Sequence, residues 1–254
     1  MINLKTNKAK KREAVIQVRM MKTLERKMYV RLQKEFKRFA SVASAAYKGG
    51  KSKALDTLGT HKKNITKILN AAHAESIRVF AKKLLKDVQA KCRGIYEKKS
   101  EIDETLNFII QEFIRDYAIT EVTNITGTTE LLLLRAISKA TDGQVDLNTA
   151  VKDIKKILGS STRRAKTIAR TEIHSSSQFG VLKGAESTGL KLIKEWVTSI
   201  DGRERDTHKA ADGQKVPQDK PFKVGKSKLM FPGDPSGPAE EVINCRCAMV
   251  FERQ

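Results

Sequence analysis

Proline is absent from the first 216 residues of this 254-residue chain; all five (Pro217, Pro221, Pro232, Pro235 and Pro238) fall in one short stretch. Cysteine is scarce too. The chain has three, two of them one residue apart, which excludes a disulfide framework and points to synthesis in a reducing cytoplasm. No apolar run approaches the ~18–20 residues that a membrane-spanning helix requires. The opening, MINLKTNKAKKREAV, lacks the apolar stretch of a secretory signal. Aromatic residues make up 6% of the chain, too few for a surface that stacks on single-stranded bases, and no zinc-finger spacing occurs.

Negative charge is what the first hundred residues lack most. They hold 27 Lys and Arg against 7 Asp and Glu, whereas residues 101–254 hold 23 against 22, so nearly all of the net charge of +21 lies early in the chain. A concentrated positive field attracts a polyanion and gains from counterion release. A solvated helix face is the plainer reading of any single charge run. The length of this one instead predicts non-specific contact with double-stranded DNA through Lys8, Lys10, Lys11, Arg12, Arg19, Lys34, Lys37, Arg38, Lys62, Lys63, Lys82 and Lys83.

The proline-free region is rich in Ala, Leu, Lys, Arg and Glu and reads as helix. Met21, Leu24, Met28, Leu32, Phe36 and Phe39 step by three or four, so they stripe one face of a helix over about 8–47 that Gly49-Gly50 ends. Ile65, Leu69, Ala72, Phe80, Leu84 and Val88 stripe a second over about 52–97, which Gly59 could break. A third starts near Ser100 as a capping residue and buries Ile102, Leu106, Ile109, Phe113 and Tyr117. Shorter helices follow over about 128–141 and 147–158, and another over about 162–187. A strand over about 191–198, a turn at Asp201-Gly202, a short helix over about 204–211, a proline-rich loop and a closing strand over about 242–251 complete the chain. The expected fold class is α+β, predominantly helical: long N-terminal helices, then a small α+β module with a short antiparallel sheet. The expected boundary separates a basic helical region, 1–160, from that module, 161–254.

On the helix over about 162–187, Ala165, Ile168, Glu172, Ser175, Phe179 and Leu182 share one face, so Glu172 points inward. An ionised carboxylate in a core costs several kcal/mol, roughly, unless a cation and hydrogen bonds compensate. The planar forks of arginine suit a carboxylate, which predicts a structural clamp from Glu172 to Arg203 first and Arg246 second. A catalytic acid is the weaker alternative. His61 and His73 lie on basic helices and read as surface residues. Ser175, Ser176 and Ser177 follow His174, but side-by-side residues on a helix point apart and make no nucleophile–base pair. Gly225-Lys226-Ser227 lacks the earlier glycine of a phosphate loop and reads as an ordinary loop.

Four blocks in the last third recur in a recognisable order: Arg170-Thr171-Glu172; Trp196 with Asp201-Gly202-Arg203-Glu204-Arg205-Asp206-Thr207-His208; Phe231-Pro232-Gly233-Asp234-Pro235; and Asn244-Cys245-Arg246-Cys247. Together they resemble the phage Mu F-like minor head protein family, also called the phage head morphogenesis family, over about 162–251. The resemblance implies a minor structural protein of a tailed bacteriophage, assembled in the host cytoplasm into the capsid interior or near the portal vertex. Its partners would be the portal, major capsid or scaffolding protein and packaged DNA, in several copies per virion, with no membrane contact while in the head. Nothing follows the Asn-Cys-Arg-Cys strand, so a pure assembly role without a toxin or enzyme domain is expected. Some members carry two cysteines in the segment matching Arg205–His208, which with the terminal pair resembles a four-ligand zinc site. Here Arg205 stands where the first would be, and arginine keeps its proton. His208, Cys245 and Cys247 are therefore weak metal candidates, and no cofactor is expected. Relatives labelled ADP-ribosyltransferases raise an enzymatic alternative, but Arg170, Glu172 and the serines stand in the wrong order for it. A DNA-binding accessory protein outside the virion is the other.

Overall fold

In a computed structural model of the chain, residues 1–2, 6–91, 99–142, 146–198 and 203–253 are described. Two long helices come first, α1 (Asn7–Ala46) and α2 (Lys51–Lys91), separated by a 3-10 turn and Gly50 in the left-handed region. Gly59 does not interrupt α2. The third stripe continues further than the sequence suggests. α3 (Lys99–Phe113) passes through one π turn, Ile114–Ala118, into α4 (Ile119–Asp142) without a break before Thr128. Buried positions run Ile102, Leu106, Ile109, Phe113, then Ala118, Val122 and Ile125. The step of five at the π turn absorbs a slip in the 3.6-residue period, and Tyr117 is left half-buried. Ser100 falls inside α3 rather than before it.

α5 (Leu147–Gly159) is capped by Asp146, whose carboxylate accepts from the Asn148 and Thr149 amides. α6 (Thr162–Glu186) leads into a module of β1 (Leu192–Val197), α7 (Asp206–Ala211), β2 (Lys215–Pro217), β3 (Phe222–Val224), β4 (Ser227–Leu229), α8 (Ala239–Val242) and β5 (Ala248–Arg253). β1 is the middle strand of an antiparallel sheet in the order β2-β1-β5, with Trp196 opposite Met249 and Lys194 opposite Phe251 and Val216. β3 and β4 form a separate hairpin turning at Gly225. The proline-rich segment thus contains three short strands that its composition hides. The closing strand starts at Ala248, not near Val242, because Asn244 turns the chain through the left-handed region (φ 61°) first.

Packing divides the chain differently from the compositional boundary at residue 160. One unit comprises 1–25, 72–115 and 170–254; the other comprises 26–71 and 116–169. In the first, α6 lies against α2 at van der Waals distance. A Cβ added at Gly180 would stand 3.0 Å from the Ile77 Cα, and one at Gly184 would stand 3.3 Å from the Ala81 Cα. Ser176, one turn earlier, bonds Ser76 across the same seam at 2.6 Å. On the sheet side, Ala14 of α1 packs with Val197, Ala248 and Val250. Three buried amide bonds close a ring there: Gln17 donates to the Met249 carbonyl, Gln178 donates to Gln17, and the Met249 amide donates to Gln178. The second unit has its own core, built from Phe39, Ala40, Ala43, Ala54, Leu133, Ala136, Ile137, Ile154 and Leu158.

Candidate functional site

The blocks that carry the family resemblance converge within the first unit. Thr171 Oγ1 accepts from the Asn244 amide, and Arg170 Nη1 donates to the Asn244 side-chain oxygen, each at 3.2 Å. Arg246 sends both terminal nitrogens to Glu25 of α1, each at 3.3 Å, and Arg170 Nε lies 3.9 Å from the same carboxylate. Arg205 donates to the Ile243 carbonyl, bracing the turn that Asn244 makes. The first turn of this part of α6 is thereby stapled to the segment entering β5. Glu25 is the shared acceptor, and nothing in its local sequence marks it.

Glu172 is buried, at 5% exposure, and its carboxylate meets a histidine that the sequence reading placed at the surface. His73 of α2, wholly buried, holds the carboxylate at 3.0 Å through Nε2, while Arg246 goes to Glu25 and Arg203 is exposed. Phe113 stacks edge-on against His73 at 4.9 Å. His73 therefore belongs to the interior and not to the surface. His61 behaves alike in the second unit, wholly buried and 2.8 Å from Glu35. Burial pushes the Glu35 carboxyl up, but hydrogen bonds and charge from Arg38 and His61 outweigh it and bring its pKa down to about 2.

His174, one helical position beyond Ile173, donates Nε2–H to the Cys247 carbonyl at 2.8 Å. Burial pushes its imidazole down to about 4; the Cys247 carbonyl opposes this, and charge at Arg246 and His208 adds to it. Gly233 (φ 80°) packs close against this ring, since a Cβ there would come within 2.3 Å of Nδ1. The Pro232-Gly233-Asp234 block is held by Asp234, whose carboxylate accepts from the Met230 and Ser236 amides. Trp196 is wholly buried between His208 and Phe222, each with ring centres at 5.4 Å. Lys194 is buried beside it and donates to the Met230 carbonyl at 2.7 Å. Burial lowers its pKa to about 8, with distant acids opposing. A lysine inside a strand that reads as half-polar carries no sequence signal of burial.

His208 is brought together with Cys245 and Cys247, their ligand atoms within 4.8 Å of one another and all three buried. Glu241 accepts from His208 Nε2 at 3.0 Å and from Thr207 at 2.8 Å. Nδ1 thus faces the two sulfurs, 3.3 Å from Cys247 and 3.7 Å from Cys245, where it can accept from a thiol. A carboxylate behind a histidine is also how metal-binding imidazoles are oriented. The set offers three donors, the Cys245 thiol is raised well above its ordinary range by burial, and Arg205 is committed to a carbonyl. Asp201, a motif position and a conceivable fourth donor, lies outside the described residues.

The basic candidates divide into two groups. Lys10 pairs with Glu195, Lys11 with Asp212, Lys83 with Glu13 and Asp87, and Arg38 with Glu35, so these four are committed to internal ion pairs. Lys8, Arg12, Arg19, Lys34, Lys37, Lys62 and Lys63 are exposed, Lys82 is half-buried, and none has an acidic partner among the described residues.

A predominantly helical α+β protein whose motif residues serve as internal staples is the class that this geometry defines. Residues 131–250 match the family described as Phage Mu protein F like protein. Among curated proteins, the chain is similar to Minor head protein GP7 of Bacillus phage SPP1, 34% identical over 98 residues, covering 36% of this chain and 30% of that one. It is also similar to NAD(+)--arginine ADP-ribosyltransferase EFV of Enterococcus faecalis, 34% identical over 97 residues, or 35% of this chain and 19% of that one. The chain thus spans less than a third of the length of these relatives. No solved structure matches it. Among the described residues, no helix is long and apolar enough to cross a membrane.

Proposed function

We propose that the protein acts in bacteriophage head morphogenesis as a minor structural component of the virion. The observation that carries this reading is the placement of Arg170, Thr171, Asn244 and Arg246. Arg170 and Arg246 meet at Glu25, and Arg170 and Thr171 bond Asn244, so the four tie α6 to the segment entering β5. A pattern spent on holding a module together suits a docking body. The similarity to a phage minor head protein supports the same role. In this proposal the α+β module docks onto portal, major capsid or scaffolding protein, in the capsid interior or near the portal vertex. Lys34, Lys37, Lys62 and Lys63 of the second unit, exposed and without an acidic partner among the described residues, contact packaged double-stranded DNA without sequence preference, together with Lys8, Arg12 and Arg19 of the first. The burial of Glu172 against His73 favours a structural part for this acid over an ADP-ribosyltransferase-like one.

Mass spectrometry of purified particles tests the proposal. Stoichiometric recovery of the protein with heads is the expected result, and its absence from them while heads form normally refutes the role. DNA contact is tested separately by duplex binding across a salt series. Charge reversal of Lys34, Lys37, Lys62 and Lys63 should weaken binding on all sequences alike and flatten its salt dependence.

A further inference from the structure

Within the second unit a cavity of about 170 Å³ is walled by Phe36, Phe39, Leu132 and Leu158 and reaches the amino end of α6. Arg164, in the first turn of that helix, lines it. Its Nη2 donates to the Ile125 carbonyl and to Thr129 Oγ1, and its guanidinium carbon stands 4.9 Å from the centre of the Phe36 ring. Nε and Nη1 have no acceptor among the described residues, and no acid pairs with this cation. Burial lowers its pKa to about 10, with nothing opposing. The first turn of α6 contains no acid at all. A helix start already carries roughly half a positive charge, so arginine there is repelled unless an anion joins it.

The second observation is Ser161, at the capping position just before Thr162. Serine there ordinarily accepts from an amide of the first turn. Ser161 is instead 6% exposed, lines the cavity, and its hydroxyl has no partner among the described residues. Buried hydroxyls without partners are uncommon and call for one.

We propose that this cavity binds a small organic acid, a carboxylate head on a short apolar tail. Arg164, the Ser161 hydroxyl and the α6 amino end take the carboxylate; Phe36, Phe39, Leu132 and Leu158 take the tail. Size agrees with this assignment. A dry cavity of about 150 Å³ holds a benzene, so a bare inorganic ion would leave the apolar wall uncovered, whereas an acid of about four to six carbons fills it.

The test is calorimetric titration of the full chain with acetate, butanoate, hexanoate and inorganic phosphate. Saturable binding is expected, tightening about fourfold per added methylene until the cavity is full. Arg164→Gln should weaken hexanoate at least tenfold. Arg164 also braces α4, so Ser161→Ala, which removes one unbonded hydroxyl, serves as the variant that keeps the fold; it should weaken hexanoate several-fold. Phosphate binding as tightly as hexanoate, no saturable binding by any of the acids, or Ser161→Ala binding like the parent would each overturn the proposal.

Discussion

The His73–Glu172 pair offers the sharpest test of how the first unit is held. Both groups are buried, at 0% and 5% exposure, and 3.0 Å apart. Replacing Glu172 by Leu leaves the imidazole facing α6 without its carboxylate, and removing one member of such a buried pair costs about 3–5 kcal/mol. Glu172→Gln keeps an acceptor oxygen of the same reach and should cost only about 1–2 kcal/mol. His73→Leu takes the imidazole away from the carboxylate and should again cost about 3–5 kcal/mol, whereas Leu at both positions recovers much of the loss, because the two groups then face each other as an apolar pair. Trp196, the one tryptophan, is wholly buried in the same unit, so its fluorescence in a urea series reports on this packing. With a slope of about 2–3 kcal/mol per molar, each single Leu variant should lower the midpoint by roughly 1–2 M. The reasoning is refuted if each single substitution costs under about 1 kcal/mol, or if the double variant loses the plain sum of the two.

Gly180→Ala should destabilise by about 1–3 kcal/mol in thermal melts, since its Cβ meets the Ile77 backbone at 3.0–3.1 Å. Gly127→Ala, with open space around the same atom in α4, should be neutral or stabilising by up to about 1 kcal/mol. His174 is held neutral, with its pKa lowered from 6.5 to about 4. The unfolded chain therefore takes up the proton first, and stability should fall as pH drops from about 6.5 to 4, by an upper bound of about 3 kcal/mol. His174→Gln should flatten that part of the pH profile. Glu35 acts lower, its pKa depressed from 4.5 to about 2, so its contribution is present above about pH 4.5 and lost on acidifying towards 2. Arg38 is 37% exposed and screened by solvent, which reduces that contribution to about 1–2 kcal/mol. Glu35→Gln should remove the step, as followed by far-ultraviolet circular dichroism.

Helix positions follow from spacing because burial on a helix repeats every three or four residues. α1, α5 and α6 accordingly lie within a few residues of their expected bounds, as does the start of α2, whose expected end near 97 lies outside the described residues, and Met21 to Phe39 are buried as their stripe requires. The π turn escaped because one extra residue breaks that period. The strands between Lys215 and Leu229 escaped because three residues are too few to show alternation. Inward-facing Glu172 was legible from its own helix, but the gathering of Arg170, Thr171 and Asn244 was not, because the order of motif blocks along a chain does not say which of them touch. The partners were not. His73 lies 99 residues from Glu172, and Glu25 lies 221 from Arg246. Both sit on lysine-rich helices where a surface position is the natural reading.

Local chemistry determined which stretches coil, which faces shun water, and which carboxylate must find a cation. Tertiary packing alone decided that His73 meets it, that Lys10, Lys11 and Lys83 reach acids far away in the chain, and that Arg164 borders a cavity with no acid beside it among the described residues. The physical reason is one of range: propensity and periodicity act over a few residues, whereas an ion pair or a cavity is made by groups far apart in the chain and set side by side only when their cores close.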